Sequence, residues 1–207
     1  MIYVQVGLYA EGRSDYELLL PLIERLLPEV MAQRSETYAD LPEPIGIDAP
    51  GLAGKGRAGR IAAAIEHYWE RCTLFVIHAD ADRQDATTAR VDRILPGVEE
   101  ARRRIGKEIP FAACVPVRML EAWMLSDANV FRELCPTETP RLPQDPEKVL
   151  YPKQKLENVL RELRRRPRLD MYGFWGKNLD FASLRRLPAF QAFERELSAA
   201  LDLLARG

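Results

Sequence analysis

The chain has few cysteines: Cys72, Cys114 and Cys135 are its only three. They are odd in number, far apart, and fit neither a zinc-ligand spacing nor a disulfide framework. This favours a reducing cytoplasm, with the three thiols as small apolar fillers. Long apolar runs are missing too. None approaches the roughly 18 residues that a bilayer span needs, so no membrane association is expected. The start, Met1-Ile2-Tyr3-Val4, has no basic stretch before an apolar one, so no secretory signal is expected. There is no internal repeat and no long low-complexity tract. Neither of two phosphate-binding signatures is met by the glycine-rich stretch 51–60: no Gly-x-x-x-x-Gly-Lys-[Ser/Thr] can be read there, and its Gly-x-Gly-x-x-Gly spacing at 54–59 is not in register after a clear strand.

The remaining composition suits one globular domain, or one with a helical extension: 207 residues, 47% hydrophobic and 29% charged. A net charge of −1 hides an asymmetry. Residues 1–140 carry 16 basic against 22 acidic side chains, and residues 141–207 carry 14 against 9. An acidic front with a basic back suits a metal site that must also hold an anion.

The strongest pattern is Leu74-Phe75-Val76-Ile77-His78-Ala79-Asp80-Ala81-Asp82. The apolar run predicts a strand over 73–79 buried on both faces, as inside a parallel sheet. Ile2 to Ala10 predicts another strand, ending in Glu11-Gly12. Ser14-Asp15-Tyr16-Glu17 predicts a capping box opening a helix, with Pro21 and Pro28 bending or interrupting it. Ile45 to Asp48 is a short strand candidate. A glycine-rich basic stretch, Gly51 to Arg60, precedes a helix with Ile61, Ala64, Ile65, Tyr68 and Trp69 on one face. Residues 85–106 read as helical with a break near Pro96-Gly97. Phe111 to Val117 is a further buried strand, and Arg118 to Ser126 an apolar-rich helix. Strand alternating with helix predicts a parallel sheet with right-handed crossovers over residues 1–136. Residues 137–207 read as a proline-rich linker, then a basic helical extension broken at Pro188.

Parallel strands share one carboxyl edge, where open sheets place ligands. Glu11, Asp80, Asp82 and Glu121 then reach one rim. If the chain stays extended past residue 80, Asp80 and Asp82 point the same way. Hard oxygen ligands on a partly open rim suit Mg²⁺ or Mn²⁺ and, with it, phosphoryl chemistry. Lys55, Arg57 and Arg60 are candidate phosphate contacts at a helix N-terminus. His78 and Asp15 are candidate outer partners of the metal acids. Each has a plainer reading: a solvated turn at Glu11, an Asx-turn at Asp80–Asp82, an i, i+3 pair of Glu121 with Arg118, a surface loop at 51–60, and a packed strand histidine. The Trp123 neighbourhood reads as core. Arg164 to Arg166 with Tyr172, Phe174, Trp175 and Lys177 reads either as a single-strand binding platform or as a solvated face over a small core.

Tyr9-Ala10-Glu11-Gly12-Arg13-Ser14-Asp15, with Asp80-Ala81-Asp82 after an apolar strand, resembles the TOPRIM signature of topoisomerases, bacterial primases, OLD-type nucleases and small ribonucleases. Leu120-Glu121-Ala122-Trp123-Met124-Leu125 and Pro188-Ala189-Phe190-Gln191-Ala192-Phe193 resemble one bacterial branch, a TOPRIM-like domain family of unknown function. The resemblance implies a Rossmann-like, mostly parallel sheet flanked by helices. It also implies Mg²⁺ bound by Asp80 and Asp82, with Glu11 as general acid/base. Arg83-Gln84-Asp85 stands where many TOPRIM domains have a glycine, and neither a zinc module nor a strand-passage region accompanies the motifs. The expected function is Mg²⁺-dependent phosphodiester hydrolysis or phosphoryl transfer on nucleic acid. Two alternatives stand beside it: a non-catalytic module working through an operon-encoded partner in a bacterial defence or mobile-element operon, and a nucleotide-handling phosphotransferase.

Overall fold

A computed structural model describes residues 2–33, 38–48, 56–83, 85–138, 140–165 and 169–206. Its centre is a four-stranded, all-parallel sheet built from β2 (Val6–Tyr9), β4 (Ile45–Gly46), β5 (Leu74–His78) and β6 (Phe111–Cys114), in the order β4-β2-β5-β6. Two further short strands, β1 (Ile2–Tyr3) and β3 (Ala39–Asp40), pair in parallel beside it. The side-chain period of two sorts the central strands between two cores. Val6, Leu8, Leu74, Val76, Ala112 and Cys114 face one side. Tyr9, Phe75, Ile77 and Ala113 face the other.

The second core is covered by α2 (Arg57–Tyr68) and α4 (Leu95–Ile105), with α3 (Ala86–Arg93) leading into α4. The first is larger. It receives α1 (Arg13–Ala32), the short α5 (Glu121–Met124) and α6 (Ala128–Leu134). It also receives α7 (Pro152–Glu162), α8 (Leu169–Asn178), α9 (Phe181–Leu184) and α10 (Pro188–Arg206). The helices beyond residue 136 therefore complete the core of the sheet, with α10 packed on β6 and α8 on α1. Trp123 is fully buried there, edge-on to Phe190 at 5.2 Å between ring centroids.

Several boundaries differ from the sequence reading. The first helix starts at Arg13 behind an N-cap at Gly12, and Asp15 rather than Glu17 reaches back, accepting the Gly12 N–H at 2.9 Å. Ser14 lies inside the helix. The charged helical stretch breaks at Ile94, before Pro96 rather than at it, because proline has no N–H to continue the preceding helix. The strand expected over Phe111–Val117, β6, stops at Cys114, ahead of Pro116, and Arg118 turns the chain with φ 66°. Only Glu121–Met124 of the expected 118–126 helix is then helical.

Pro21 and Pro28 do not interrupt α1, which runs unbroken over 20 residues. Pro21 frees the Glu17 carbonyl, and α8 packs on that turn with Gly173 and Gly176. A Cβ added at Gly176 would lie 2.2 Å from the Leu18 carbonyl oxygen and 2.6 Å from Pro21 Cγ. The fit is locked by Arg25, whose guanidinium donates to the carbonyls of Gly176 (3.0 Å) and Leu179 (2.9 Å), capping the C-terminal end of α8. Gly176→Ala gains helix propensity but drives a methyl into backbone. It should destabilise the protein by about 1–3 kcal/mol in urea unfolding, the range of overpacking costs. An unchanged or raised midpoint would mean that α1 and α8 are not in this contact.

Candidate active site

The strand order places a topological switch between β2 and β5. The connection leaving β2 runs to β4 over one face through α1, and that leaving β5 runs the other way, to β6, over the opposite face through α3 and α4. A crevice opens at the carboxyl ends of strands that diverge in this way. Here it is a pocket of about 220 Å³ lined by Glu11, Asp15, Arg57, His78, Asp80 and Asp82, with Ala79 and Arg93. Glu11 follows β2, and Asp80 and Asp82 follow β5. Glu121 begins the helix after β6 and lies near enough to raise the Asp80 carboxyl pKa, though it does not line the pocket. Three of the four acids expected at this edge, Glu11, Asp80 and Asp82, therefore line one pocket, and Glu121 stands outside its lining.

Its acids are differently engaged. Glu11 is gripped by two arginines from the first turn of α2, Arg57 Nη2 at 2.6 Å and Arg60 Nη2 at 2.9 Å. The two residues expected to hold phosphate thus hold a carboxylate in this state, while Lys55 lies outside the described residues. Asp82 is held by Arg93 at 2.6 Å, and the same Nη1 donates to the Asp80 carbonyl at 2.7 Å. The chain does not stay extended past Asp80. Asp82 sits at φ 53°, so the simple alternation that would aim both acids one way ends there. Glu121 is 8% exposed and accepts the Tyr172 hydroxyl at 2.8 Å, so it does not pair with Arg118.

His78 is buried at the end of β5. Its Nδ1 lies 3.1 Å from the Cys114 carbonyl, which can only accept, so Nδ1 carries the proton. Burial pushes the imidazole below its usual range, which keeps the ring neutral and turns a bare Nε2 toward the acids. Nε2 stands 3.5 Å from Asp80 Oδ1 and 3.8 Å from Asp15 Oδ2. Asp80 is the exception among the acids. Its side chain is 33% exposed, but its Oδ1 is buried without a hydrogen-bond partner. Burial, then the charges of Asp15, Glu121 and Asp82, push its carboxyl up to about 8, against a weaker pull from Arg93.

A buried, unpartnered oxygen in an anionic pocket fits the chemistry of a hard divalent cation, with Asp80, Asp15 and Asp82 as the candidate oxygen donors. Among the described residues no three Asp, Glu, His or Cys side chains already converge as a ligand set. The reason is on the rim: Glu11 and Asp82 are turned onto guanidinium groups. Two participants were not legible. Arg93 gave no signal in a charged helix, and Tyr172 belongs to an aromatic segment that could also be read as a binding platform. That platform reading does not hold, since Tyr172 turns onto Glu121 and Trp175 is buried with Nε1 donating to the Met124 carbonyl.

No protein-family model, curated protein or solved structure matches the chain. No helix among the described residues is long and apolar enough to cross a membrane.

The Asp80 carboxyl holds its proton in the folded state up to about pH 8, against 3.8 ordinarily. Its contribution to stability is therefore full below about pH 4 and declines as pH rises toward 8. Asp80→Asn should flatten that decline, raising Tm more at pH 8 than at pH 5. Mn²⁺ or Mg²⁺ should raise the wild-type Tm at pH 8 by mass action and leave the variant unmoved. Parallel pH profiles for the two proteins would remove Asp80 from this role.

Proposed function

We propose that the chain is a divalent-cation-dependent phosphodiesterase acting on nucleic acid, with Mg²⁺ or Mn²⁺ as cofactor. The observation that carries this reading is the unpartnered, buried Oδ1 of Asp80, in a pocket where acids from separate strand ends stand against arginines. The resemblance of Glu11 and Asp80-Ala81-Asp82 to the TOPRIM signature points the same way. In this reading Asp80 and Asp82, with Asp15 beside them, hold the cation, which supplies charge stabilisation at the phosphoryl group. Arg57 and Arg60 bind a phosphate of the substrate in exchange for Glu11, with Lys55 as a further candidate. Glu11, so released, takes the proton of the attacking water as the P–O bond to the leaving oxygen breaks. Glu121 keeps the rim anionic from the far side, with Tyr172 fixing its carboxylate.

One observation favours the non-catalytic alternative, a module acting through a partner protein encoded nearby: Glu11 and Asp82 are already neutralised by arginine. The two readings part in a cleavage assay on DNA and RNA with Mg²⁺ or Mn²⁺. Removal of a general base costs about 10²- to 10⁴-fold in rate. Glu11→Gln should lose that much, and Asp80→Asn should lose activity together with metal dependence. Cleavage that survives both substitutions would sink the catalytic reading, and an inactive wild type that co-purifies with an operon neighbour would support the alternative.

A further inference from the structure

A second, larger groove of about 790 Å³ opens beside the carboxylate pocket and shares Asp82 and Arg93 with it. Its other walls are Arg83, Arg118, Met119, Leu150 and Tyr151. Its charge is unbalanced. Arg93 is committed to Asp82, whereas Arg83 meets no carboxylate among the described residues. Arg118 donates to the backbone carbonyl of Asp82, at 3.2 Å, and likewise meets no carboxylate among the described residues. Two guanidinium groups are therefore left without a counter-ion next to an anionic pocket.

Part of the lining is apolar and open. Leu150 is 62% and Tyr151 68% exposed, two adjacent large side chains standing mostly in solvent. Tyr151 is nevertheless fixed at its base. It is the N-cap of α7, its carbonyl accepts the Lys155 N–H at 3.0 Å, and Pro152 restricts its backbone. An exposed ring on a fixed backbone, in the same groove as guanidiniums without a carboxylate partner, matches a chain with a π-face and a phosphate in every unit. In a duplex the base faces are stacked away, so the complementary form is single-stranded.

We infer that this groove binds a single-stranded segment of nucleic acid, with Arg83 and Arg118 on its phosphates and the Tyr151 ring against a base. It leads that strand to the carboxylate pocket, and in that last respect it rests on the function proposed above. Binding itself needs neither metal nor cleavage.

The test is fluorescence anisotropy of labelled oligo-dT and oligo-U of about 12 nucleotides, a length within the usual single-strand site size, at low salt in EDTA. Wild type should bind at least one of them, and the tighter of the two identifies the sugar. Tyr151→Ala should weaken binding about tenfold, the order of one lost stacking contact, with Tyr151→Phe close to wild type. Replacing Arg83 and Arg118 together by alanine should weaken it further and reduce the slope of log K against log salt by about 1.4, some 0.7 per phosphate contact. Arg83 and Tyr151 are exposed and Arg118 half-buried, and circular dichroism with thermal melts of each variant separates lost binding from lost structure. Equal binding of a duplex, equal binding of a mononucleotide, no binding of either strand, or indifference to Tyr151→Ala each overturns the inference. Loss of binding in Tyr151→Ala without any cleavage by wild type would leave the groove standing and the phosphodiesterase reading fallen. Cleavage indifferent to Tyr151 would do the reverse.

Discussion

Crowding of negative charge at one edge of a parallel sheet governs this molecule. Parallel strands must end on the same side, so acids that follow β2, β5 and β6 are brought together by topology alone. Two like charges 4 Å apart cost about 4 kcal/mol at the effective dielectric near a protein surface. Neighbouring groups meet that cost at nearly every acid. Arg57 and Arg60 take Glu11, Arg93 takes Asp82, the Gly12 N–H takes Asp15, and Tyr172 takes Glu121. Asp80 alone keeps an unsatisfied oxygen, and its carboxyl answers by holding a proton up to about pH 8.

The neutralising groups are of two kinds, and the difference matters for chemistry. The Glu11 and Asp82 pairs are partly open to solvent, where an ion pair contributes up to about 1 kcal/mol. Such a pair yields to a better anion or a stronger cation at small cost. The Asp15 and Glu121 contacts are different. One fixes the start of α1, and the other joins α8 to the turn after β6, so both are part of the framework. The rim thus combines fixed carboxylates with exchangeable ones, and the exchangeable ones are Glu11 and Asp82.

The longer central strands were legible because their apolar runs are unbroken, and the alternation of Leu74, Val76 against Phe75, Ile77 divides the two cores as a period of two requires, but the expected strand over Ile2–Ala10 is split into β1 and β2, and β1 pairs with the unforeseen β3. The shared edge followed from strand–helix alternation. What escaped was set by tertiary contact. Asp15 wins the cap from Glu17 because the chain enters the helix two residues earlier, at Gly12. Pro21 looks like a helix breaker locally, yet Gly176 of α8 seats on the turn it opens. Nothing local points Arg93 to Asp82 or Tyr172 to Glu121. Their partners lie 11 and 51 positions away, and only the folded chain brings them there.

The junction between β5 and β6 shows how the rim keeps its shape while its charges repel. The pairing of the two strands outlasts their regular stretch. Ala79 N–H donates to the Cys114 carbonyl, Ala81 to Pro116 and Asp82 to Arg118. The last of these ties together two residues in left-handed backbone, Asp82 at φ 53° and Arg118 at φ 66°. Asp tolerates that region, but for Arg it costs of order 1 kcal/mol or more. Strain of this size persists only where surrounding contacts impose it, and here they do: the Arg118 guanidinium returns to the Asp82 carbonyl, closing a mutual clasp. The clasp stands where the carboxylate pocket and the arginine groove share Asp82. The strained turn thus holds the Asp82 carboxylate on Arg93, where it lines both cavities.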